Sequence, residues 1–272
     1  MSDPATTLPT FTTIRLATQG AVAVITLNRP ERLNAASSFM FVEIGQVLQH
    51  LPALGARALL ITGEGRAFCS GADLQGRADG SSATSRGAAV WHALTHSYAP
   101  TMLALSKLDI PVVTAVNGPA AGIGCSLALA ADFTVAGRSA YFLEAFVNIG
   151  LVPDGGTTWM LARQIGKARA TEMMMLGERI GAEKAEAWGL IHKAVDDDQL
   201  MAEALALATR LAAGPTRALG LMRQGLARAL EQSYAEALAT EAAHQHVAAD
   251  SADAMEGGMA FLQRRKAQFQ GK

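Results

Sequence analysis

Short apolar segments alternate along this chain with longer segments in which apolar residues recur at helical spacing. The short segments predict strands at 14–16, 22–27, 59–62, 112–116, 133–136 and 141–142, and Gln19-Gly20 predicts a hairpin between the first two. The longer segments predict helices at 37–50 and 88–107, after Gly124, and from the 155–156 turn to Ile165. Strands that alternate with helices predict an α/β fold.

From Lys167 onward the pattern is almost wholly helical, apart from a break at 189–195 that predicts a last short strand. The Ala-rich segment from Leu200 predicts several helices, which are separated at Gly214-Pro215 and near Gly257-Gly258. These helices carry more apolar surface than a thin helical annex needs, so we expect them to pack on a neighbouring subunit. Residues 76–88 are small and polar, and predict a mobile loop of the type that covers a site.

Composition narrows the function classes. Half of the 272 residues are hydrophobic, and 23 basic residues balance 24 acidic ones, so no basic surface for nucleic acid is expected. The two cysteines have no metal-ligand spacing and imply no disulfide framework, and neither a signal peptide nor a membrane-spanning run is visible. We therefore expect a cytoplasmic protein that binds no membrane. His92 and His96 stand four residues apart without a third ligand, which favours paired surface histidines over a metal site.

A Gly-rich turn between a strand and a helix is the first candidate for chemistry. The strand at 112–116 is followed by Asn117-Gly118-Pro119, by Gly122 and Gly124, and then by a helix. A helix that starts there leaves its first N–H groups unpaired, at a place suited to an oxygen that gains negative charge. The alternative is a tight turn whose glycines serve packing alone.

Four motifs together carry a resemblance. The chain contains NRPERLNA, GEGRAFCSGADL, AVNGPAAGIGCSLALAAD and GLVPDGG, and with them it resembles the enoyl-CoA hydratase/isomerase (crotonase) family from about Thr13 to Phe269. The segments GLIHKAVDD and AFLQRRKAQFQGK are most similar to ring isomerases of the phenylacetate pathway. The resemblance implies a stack of ββα units in residues 1–199 and a C-terminal helical region, residues 200–272, that forms trimers or hexamers.

The resemblance also implies a site for an acyl-CoA thioester. The N–H groups of Ala72 and Ile123 would hold the thioester oxygen, and Gly71, Gly122 and Gly124 would let the backbone approach it. The CoA moiety would lie along two loops that contain Arg32, Ala35, Ser70, Asp73 and Leu74. The Ser70 carbonyl would meet the adenine, Arg32 the phosphates, and Phe261 and Arg264, from this or an adjacent subunit, would close over the nucleotide. For either arginine, a solvated surface charge is the alternative, and Asp73 is expected to be structural.

The chain departs from the family pattern at two positions. Family hydratases carry glutamates where this chain has Ser126 and Phe146, and neither side chain acts as a base at neutral pH. Glu144, in a strand, would share a face with Phe146 at about 6–7 Å and is a weaker candidate. Asp154 remains, in the turn where family isomerases carry an acid, and capping a helix that begins at Gly155 is its alternative role.

The resulting expectation is an acyl-CoA isomerase in which Asp154 moves a proton through a thioester enolate. Two alternatives stay open: an enoyl-CoA hydratase that uses Asp154 with Glu144, and an acyl-CoA-binding protein with little turnover. Because the thioester itself accepts the electrons, no metal or redox cofactor is expected, and coenzyme A enters as part of the substrate.

Overall fold

The computed structural model describes residues 9–73 and 85–272. Within these ranges the strands are β1 (Ile14–Gln19), β2 (Val22–Leu27), β3 (Ala58–Gly63), β4 (Val112–Val116), β5 (Pro119–Ala121), β6 (Phe133–Gly137), β7 (Tyr141–Leu143), β8 (Ile180–Gly181) and β9 (Lys193–Val195). Leu74 and most of the predicted loop 76–88 lie outside the described residues, and structure resumes at Ser85, which caps the next helix.

The helices follow the predicted pattern closely. They are α1 (Ser38–His50), α2 (Arg86–Ala93), α3 (Ala99–Ser106), α4 (Ile123–Leu129), α5 (Thr157–Gln164), α6 (Gly166–Leu176), α7 (Ala182–Ala187), α8 (Leu200–Ala212), α9 (Thr216–Arg228), α10 (Tyr234–Ala249) and α11 (Ala252–Leu262). A π-helical turn, Leu94–Tyr98, joins α2 to α3, so the predicted helix 88–107 is one helical segment with a bulge. In the described part of the chain no helix is both long and apolar enough to span a membrane.

The main sheet brings three loops to one edge. Its order among the described strands is β1-β2-β3-β4-β6-β9, in which β1 pairs antiparallel with β2 and every later pair is parallel. Parallel strands end at the same edge of a sheet, where α/β proteins carry their sites. The segments that leave β2, β3 and β4 therefore start side by side. They carry the arginines Arg29 and Arg32, the turn at Gly71 and the turn at Gly122.

A second, small sheet has the order β5-β7-β8 and was not fully predicted. Pro119-Ala120-Ala121 was expected to be turn, and the β8 segment to be helical, because such short strands have no period of their own to recognise. The pairing of β5 with β7 is parallel and ends at Ala121↔Leu143. The residues that follow both strands, Gly122 and Glu144, are thereby placed side by side.

Each face of the main sheet is covered. One face packs on the larger core with α1, α3 and α4, and the other packs its valines, leucines and alanines on α8. Leu200, Ala204 and Ala208 of α8 are fully buried in that second layer. The first helix of the expected C-terminal region therefore belongs to the core of this chain.

The predicted helix break near Gly257-Gly258 is wrong. Helix α11 runs through both glycines, and the break lies at Asp250-Ser251, where the Ser251 hydroxyl caps α11 by accepting the Ala254 N–H. A glycine weakens a helix by only about 1 kcal/mol, and packing of the helix overrides that cost.

Candidate active site

Two Gly-rich turns are paired side by side at the edge of the main sheet. The Cys69 N–H donates to the Pro119 carbonyl at 3.0 Å, and the Ala121 N–H donates to the Cys69 carbonyl at 2.9 Å. This parallel bridge matches Cys69 with Ala120. Three residues beyond the bridge on each side stand Ala72 and Ile123, so the two N–H groups expected to act together occupy equivalent positions in neighbouring segments.

Both N–H groups are unused within the described residues. The Ala36 N–H donates to the Gly71 carbonyl and the Asp73 N–H to the Ala36 carbonyl, each at 2.8 Å. In a parallel bridge of this kind the N–H of the middle residue, Ala72, points to the opposite side. Ile123 is the first residue of α4, and a first helical residue has no intrahelical acceptor. Neither group has an acceptor in the residues that the structure describes.

Gly71 and Gly122 meet the conformational demand of this arrangement. Their φ angles are 107° and 51°, values that residues with a Cβ rarely adopt. A Cβ at Gly71 would lie 3.3 Å from the Ala121 carbonyl oxygen, and one at Gly122 would lie 3.5 Å from the Phe146 ring. The two turns therefore touch each other, and Phe146 packs over one of them.

Gly124 has a packing role within the chain. A Cβ there would lie 2.4 Å from the Cys69 carbonyl oxygen and 2.8 Å from the Cys69 sulfur. Glycine at this position lets α4 pack on the segment that carries Cys69.

Asp154 lies in the turn before α5, close to the start of α4. Burial raises its pKa from 3.8 to about 6. Its Oδ1 atom is buried and has no hydrogen-bond partner among the described residues. The capping alternative is wrong, because α5 begins at Thr157 and its N-cap residue is Gly156, without a side-chain cap. The Asp154 carboxyl is therefore not committed to the helix.

Ser126 and Thr157 hold the backbone of Asp154. The Ser126 hydroxyl donates to the Asp154 carbonyl at 3.0 Å, the Thr157 hydroxyl donates to it at 2.8 Å, and the two hydroxyls contact each other. A Cβ at Gly155 would lie 2.5 Å from the Ile123 side chain, so the Asp154 turn sits directly on the start of α4. Thr157 was not singled out from the sequence, in which a Thr at a helix start carries no signal of this contact.

Glu144 is fully buried, and neither of its carboxyl oxygens has a hydrogen-bond partner in the described part of the chain. Its pKa is raised from 4.5 to about 7, chiefly by burial, and the net value includes an opposing effect of the nearby Cys125 thiol and a smaller rise from the charge of Asp154. The expectation that Glu144 shares a strand face with Phe146 is wrong. Strand β7 ends at Leu143, and Phe146 has helical φ and ψ angles at the start of a 3₁₀ turn.

The two loops expected to hold CoA are brought together by an ion pair. Arg29 lies 2.7 Å from the Asp73 carboxylate and donates to the Ala35 carbonyl at 2.6 Å. Arg32 is half exposed and lies 3.4 Å from the same carboxylate, and the Ser70 N–H donates to the Leu33 carbonyl. Asp73 thus has a structural contact with Arg29, while Arg32 keeps much of its guanidinium in solvent.

Phe261 and Arg264 are not brought to these loops by their own chain. The Arg57 guanidinium binds the Phe269 carbonyl at 3.1 Å, at the amino end of β3, whereas the Gly-rich turns lie at the carboxyl ends. Phe261 is 83% exposed, and no contact within the described ranges joins it to the turns.

Comparisons with known proteins agree over most of the chain. The family model described as enoyl-CoA hydratase/isomerase matches residues 17–272. A 1,2-epoxyphenylacetyl-CoA isomerase from Escherichia coli is 42% identical over 252 residues, 92% of this chain and 95% of that protein. A "Probable enoyl-CoA hydratase" from Rhodobacter capsulatus is 43% identical over 263 residues, 96% and 99% of the two chains. The crystal structure of an enoyl-CoA hydratase from Bacillus anthracis superposes with a TM-score of 0.89 at 29% identity, covering 96% of this chain and 100% of that one.

The chain belongs to the enoyl-CoA hydratase/isomerase family. Membership confirms the resemblance drawn from the four motifs and the crotonase-like fold. Relatives named as isomerase and as hydratase match equally well, so the choice between these activities rests on the residues of this chain's own site.

Proposed function

We propose that this protein is an acyl-CoA isomerase in which Asp154 carries the proton. The observation that supports this role is the Oδ1 atom of Asp154, which is buried and has no partner in residues 9–73 and 85–272, while hydrogen bonds to its own backbone hold it next to the start of α4. A carboxyl in that state is available to a substrate, and its raised pKa makes it a stronger base once it is ionised.

In the proposed mechanism the N–H groups of Ala72 and Ile123 donate to the thioester oxygen of an acyl-CoA. The Asp154 carboxylate takes a proton from one carbon, that C–H electron pair moves into the enolate, and the negative charge collects on the thioester oxygen. Asp154 then returns the proton to another carbon, and the double bond is displaced. Two fixed donors at such an oxygen contribute about 3–4 kcal/mol each in comparable sites.

The CoA moiety is proposed to lie on the loops joined by the Arg29–Asp73 ion pair, with the Ser70 carbonyl at the adenine. Arg32, whose guanidinium is half exposed, would meet the phosphates. Phe261 and Arg264 of an adjacent subunit would close over the nucleotide, since those of the same chain are anchored away from the loops. This arrangement requires an oligomer, for which we propose a homotrimer or a dimer of trimers, and it uses no metal or redox cofactor.

Two acyl groups fit this proposed mechanism, a linear enoyl chain and a ring. The 42% identity to the Escherichia coli isomerase supports a ring rearrangement of the phenylacetyl-CoA type. An enoyl-CoA hydratase is the second candidate. The observation that favours it is a second buried carboxyl, Glu144, which has no hydrogen-bond partner where the structure describes the chain and which interacts electrostatically with Asp154. Family hydratases use two acids to position and activate water.

The test uses 3-hexenoyl-CoA and 2-hexenoyl-CoA with wild type and Asp154→Asn. An isomerase converts the first into the second without adding water, a hydratase makes 3-hydroxyhexanoyl-CoA, and a binding protein makes neither. Asp154→Asn is expected to lose about 10²–10⁴-fold in turnover, with little change in acyl-CoA affinity. The matched control is Asp198→Asn, the same replacement on an exposed turn. Undiminished turnover in Asp154→Asn would refute the proposed role.

A further inference from the structure

The buried acids of this chain differ sharply in how their oxygens are satisfied. Glu43 accepts the backbone N–H groups of Thr12 and Thr13 at 2.7 and 2.8 Å, and both threonine hydroxyls as well. Asp253 accepts the N–H groups of Gln270 and Gly271 at 2.6 and 2.8 Å. Glu144 is buried as deeply, and neither of its oxygens has a partner in the described ranges. Glu43 and Asp253 tie distant chain segments together, whereas no backbone N–H in the described ranges donates to Glu144, whose neighbour is the Cys125 thiol.

The position of Glu144 is set by the small sheet. The Gly122 N–H donates to the Leu143 carbonyl at 2.8 Å, which fixes the next residue, Glu144, against the turn that carries Ile123. Two titratable groups in the described part of the chain act on its carboxyl: Cys125 on α4 and Asp154 before α5. Burial also raises the pKa of the Cys125 thiol far above its ordinary value, so this thiol stays neutral at neutral pH. Asp154 is therefore the group in the described part of the chain whose ionisation changes the pKa of Glu144.

A buried carboxyl without partners is expensive as an anion, and a structural role would not require it. A leucine or a methionine would fill the same space without that cost. A carboxyl at position 144 is therefore accounted for by the change in its protonation state. Acids with a perturbed pKa beside a site are often functional.

We infer that Glu144 is a positioning residue of this site, which shares one proton with Asp154 and keeps Asp154 effective as a base only while Glu144 itself is neutral. The inference rests on the proposed role of Asp154. When Asp154 is ionised and Glu144 is protonated, the site holds one negative charge and accepts the proton from the substrate. When Glu144 also ionises, a second negative charge stands beside the forming enolate and opposes it.

The order of ionisation follows from the two environments. Asp154 titrates near 6 and Glu144 near 7, with the charge of Asp154 as one cause of the higher pKa. The rate should therefore rise through about pH 6 and fall through about pH 7. The plot of rate against pH should therefore be bell-shaped, and its two apparent pKa values describe Asp154 and Glu144 as a coupled pair.

The first experiment measures kcat against pH for 3-hexenoyl-CoA with wild type and Glu144→Gln. Glutamine keeps the shape and stays neutral at every pH, so the variant should lose the alkaline limb and hold a plateau. At about pH 8 it should exceed the wild-type fraction of maximal rate by about tenfold. An unchanged alkaline limb in Glu144→Gln, or a uniform loss at every pH, overturns the inference. A purely structural Glu144 would give the second result.

A second measurement needs neither turnover nor folding of Glu144→Gln. Infrared spectra of protein labelled with ¹³C-glutamate should contain the carbonyl band of a buried neutral glutamic acid that disappears as the pH passes about 7. In Asp154→Asn the same band should disappear at lower pH, because the neighbouring charge is gone. No such band, or the same midpoint in both proteins, overturns the inference. Full turnover in Asp154→Asn would instead refute the proposed function. The infrared measurement of how Asp154 shifts the Glu144 midpoint does not depend on that result.

Discussion

Replacing Glu144 with glutamine removes one buried ionisable group and nearly preserves the side-chain shape. In the folded protein the pKa of Glu144 is raised from 4.5 to about 7, chiefly by burial. A rise of this size, at about 1.4 kcal/mol per pKa unit, corresponds to about 3 kcal/mol of pH-dependent stability.

The sign follows from which state binds the proton more tightly. The folded protein holds the Glu144 proton up to about pH 7, whereas the unfolded chain releases it near 4.5. The extra stability is therefore fully present below pH 4.5 and is lost as the pH rises through about 7. Wild type should lose about 3 kcal/mol more than Glu144→Gln over that interval. Asp154 contributes in the same direction, but it is present in both proteins and its direct effect cancels.

The assay is urea unfolding at a series of pH values from 4.5 to 8, at one protein concentration because subunit association shifts apparent stability. The quantity of interest is the difference in unfolding free energy between the two proteins, plotted against pH. A difference that stays constant within about 0.5 kcal/mol would mean that water or an unnoticed donor satisfies the carboxylate. The burial argument, and with it the proton-sharing pair, would then be wrong.

Three further predictions concern packing, positioning and assembly. Gly124→Ala should destabilise the protein by about 2–3 kcal/mol, because its Cβ would lie 2.4 Å from the Cys69 carbonyl oxygen. Gly258→Ala adds a Cβ that meets nothing within 4 Å in a helix, so it should be neutral or stabilising in the same urea unfolding assay. Thr157→Val should lower kcat about tenfold with little change in KM, because it loosens the hold on the Asp154 carbonyl, and Thr157→Ser should restore it. Light scattering at micromolar concentration should give a trimer or a hexamer, and a monomer would contradict the proposed assembly.

The contrast between Glu43 and Glu144 has a wider consequence for this site. Both glutamates are buried, and they differ in their hydrogen bonds within the described residues. Glu43 is bonded to the chain, whereas the Glu144 carboxyl is free to interact with other groups of the site. The serine at the position of a family glutamate is likewise occupied, since Ser126 supports the Asp154 turn. Serine at position 126 thus replaces a family glutamate and, through its hydrogen bond to the Asp154 carbonyl, fixes the turn that carries Asp154.

The sequence by itself determined much of this protein. The strands with a clear apolar pattern, the Gln19-Gly20 hairpin and the Ser37 cap of α1 were predictable, because period and capping are local properties. The four motifs predicted the family. The family pattern also made Asp154 the candidate acid, because Ser126 and Phe146 stand where family hydratases carry glutamates.

The tertiary structure decided what local pattern does not encode. Strands β5 and β8 form only because β7 pairs with both, and α8 joins the core because the second sheet face needs a cover. The role of Gly124 depends on Cys69, 55 positions earlier in the printed sequence. Extended strand geometry made Glu144 the weaker candidate in the sequence. In the structure, strand β7 ends at Leu143, and the turn that follows buries Glu144 where the charge of Asp154 acts on it. The pKa of a carboxyl depends on what surrounds it in space, and only the folded chain supplies those surroundings.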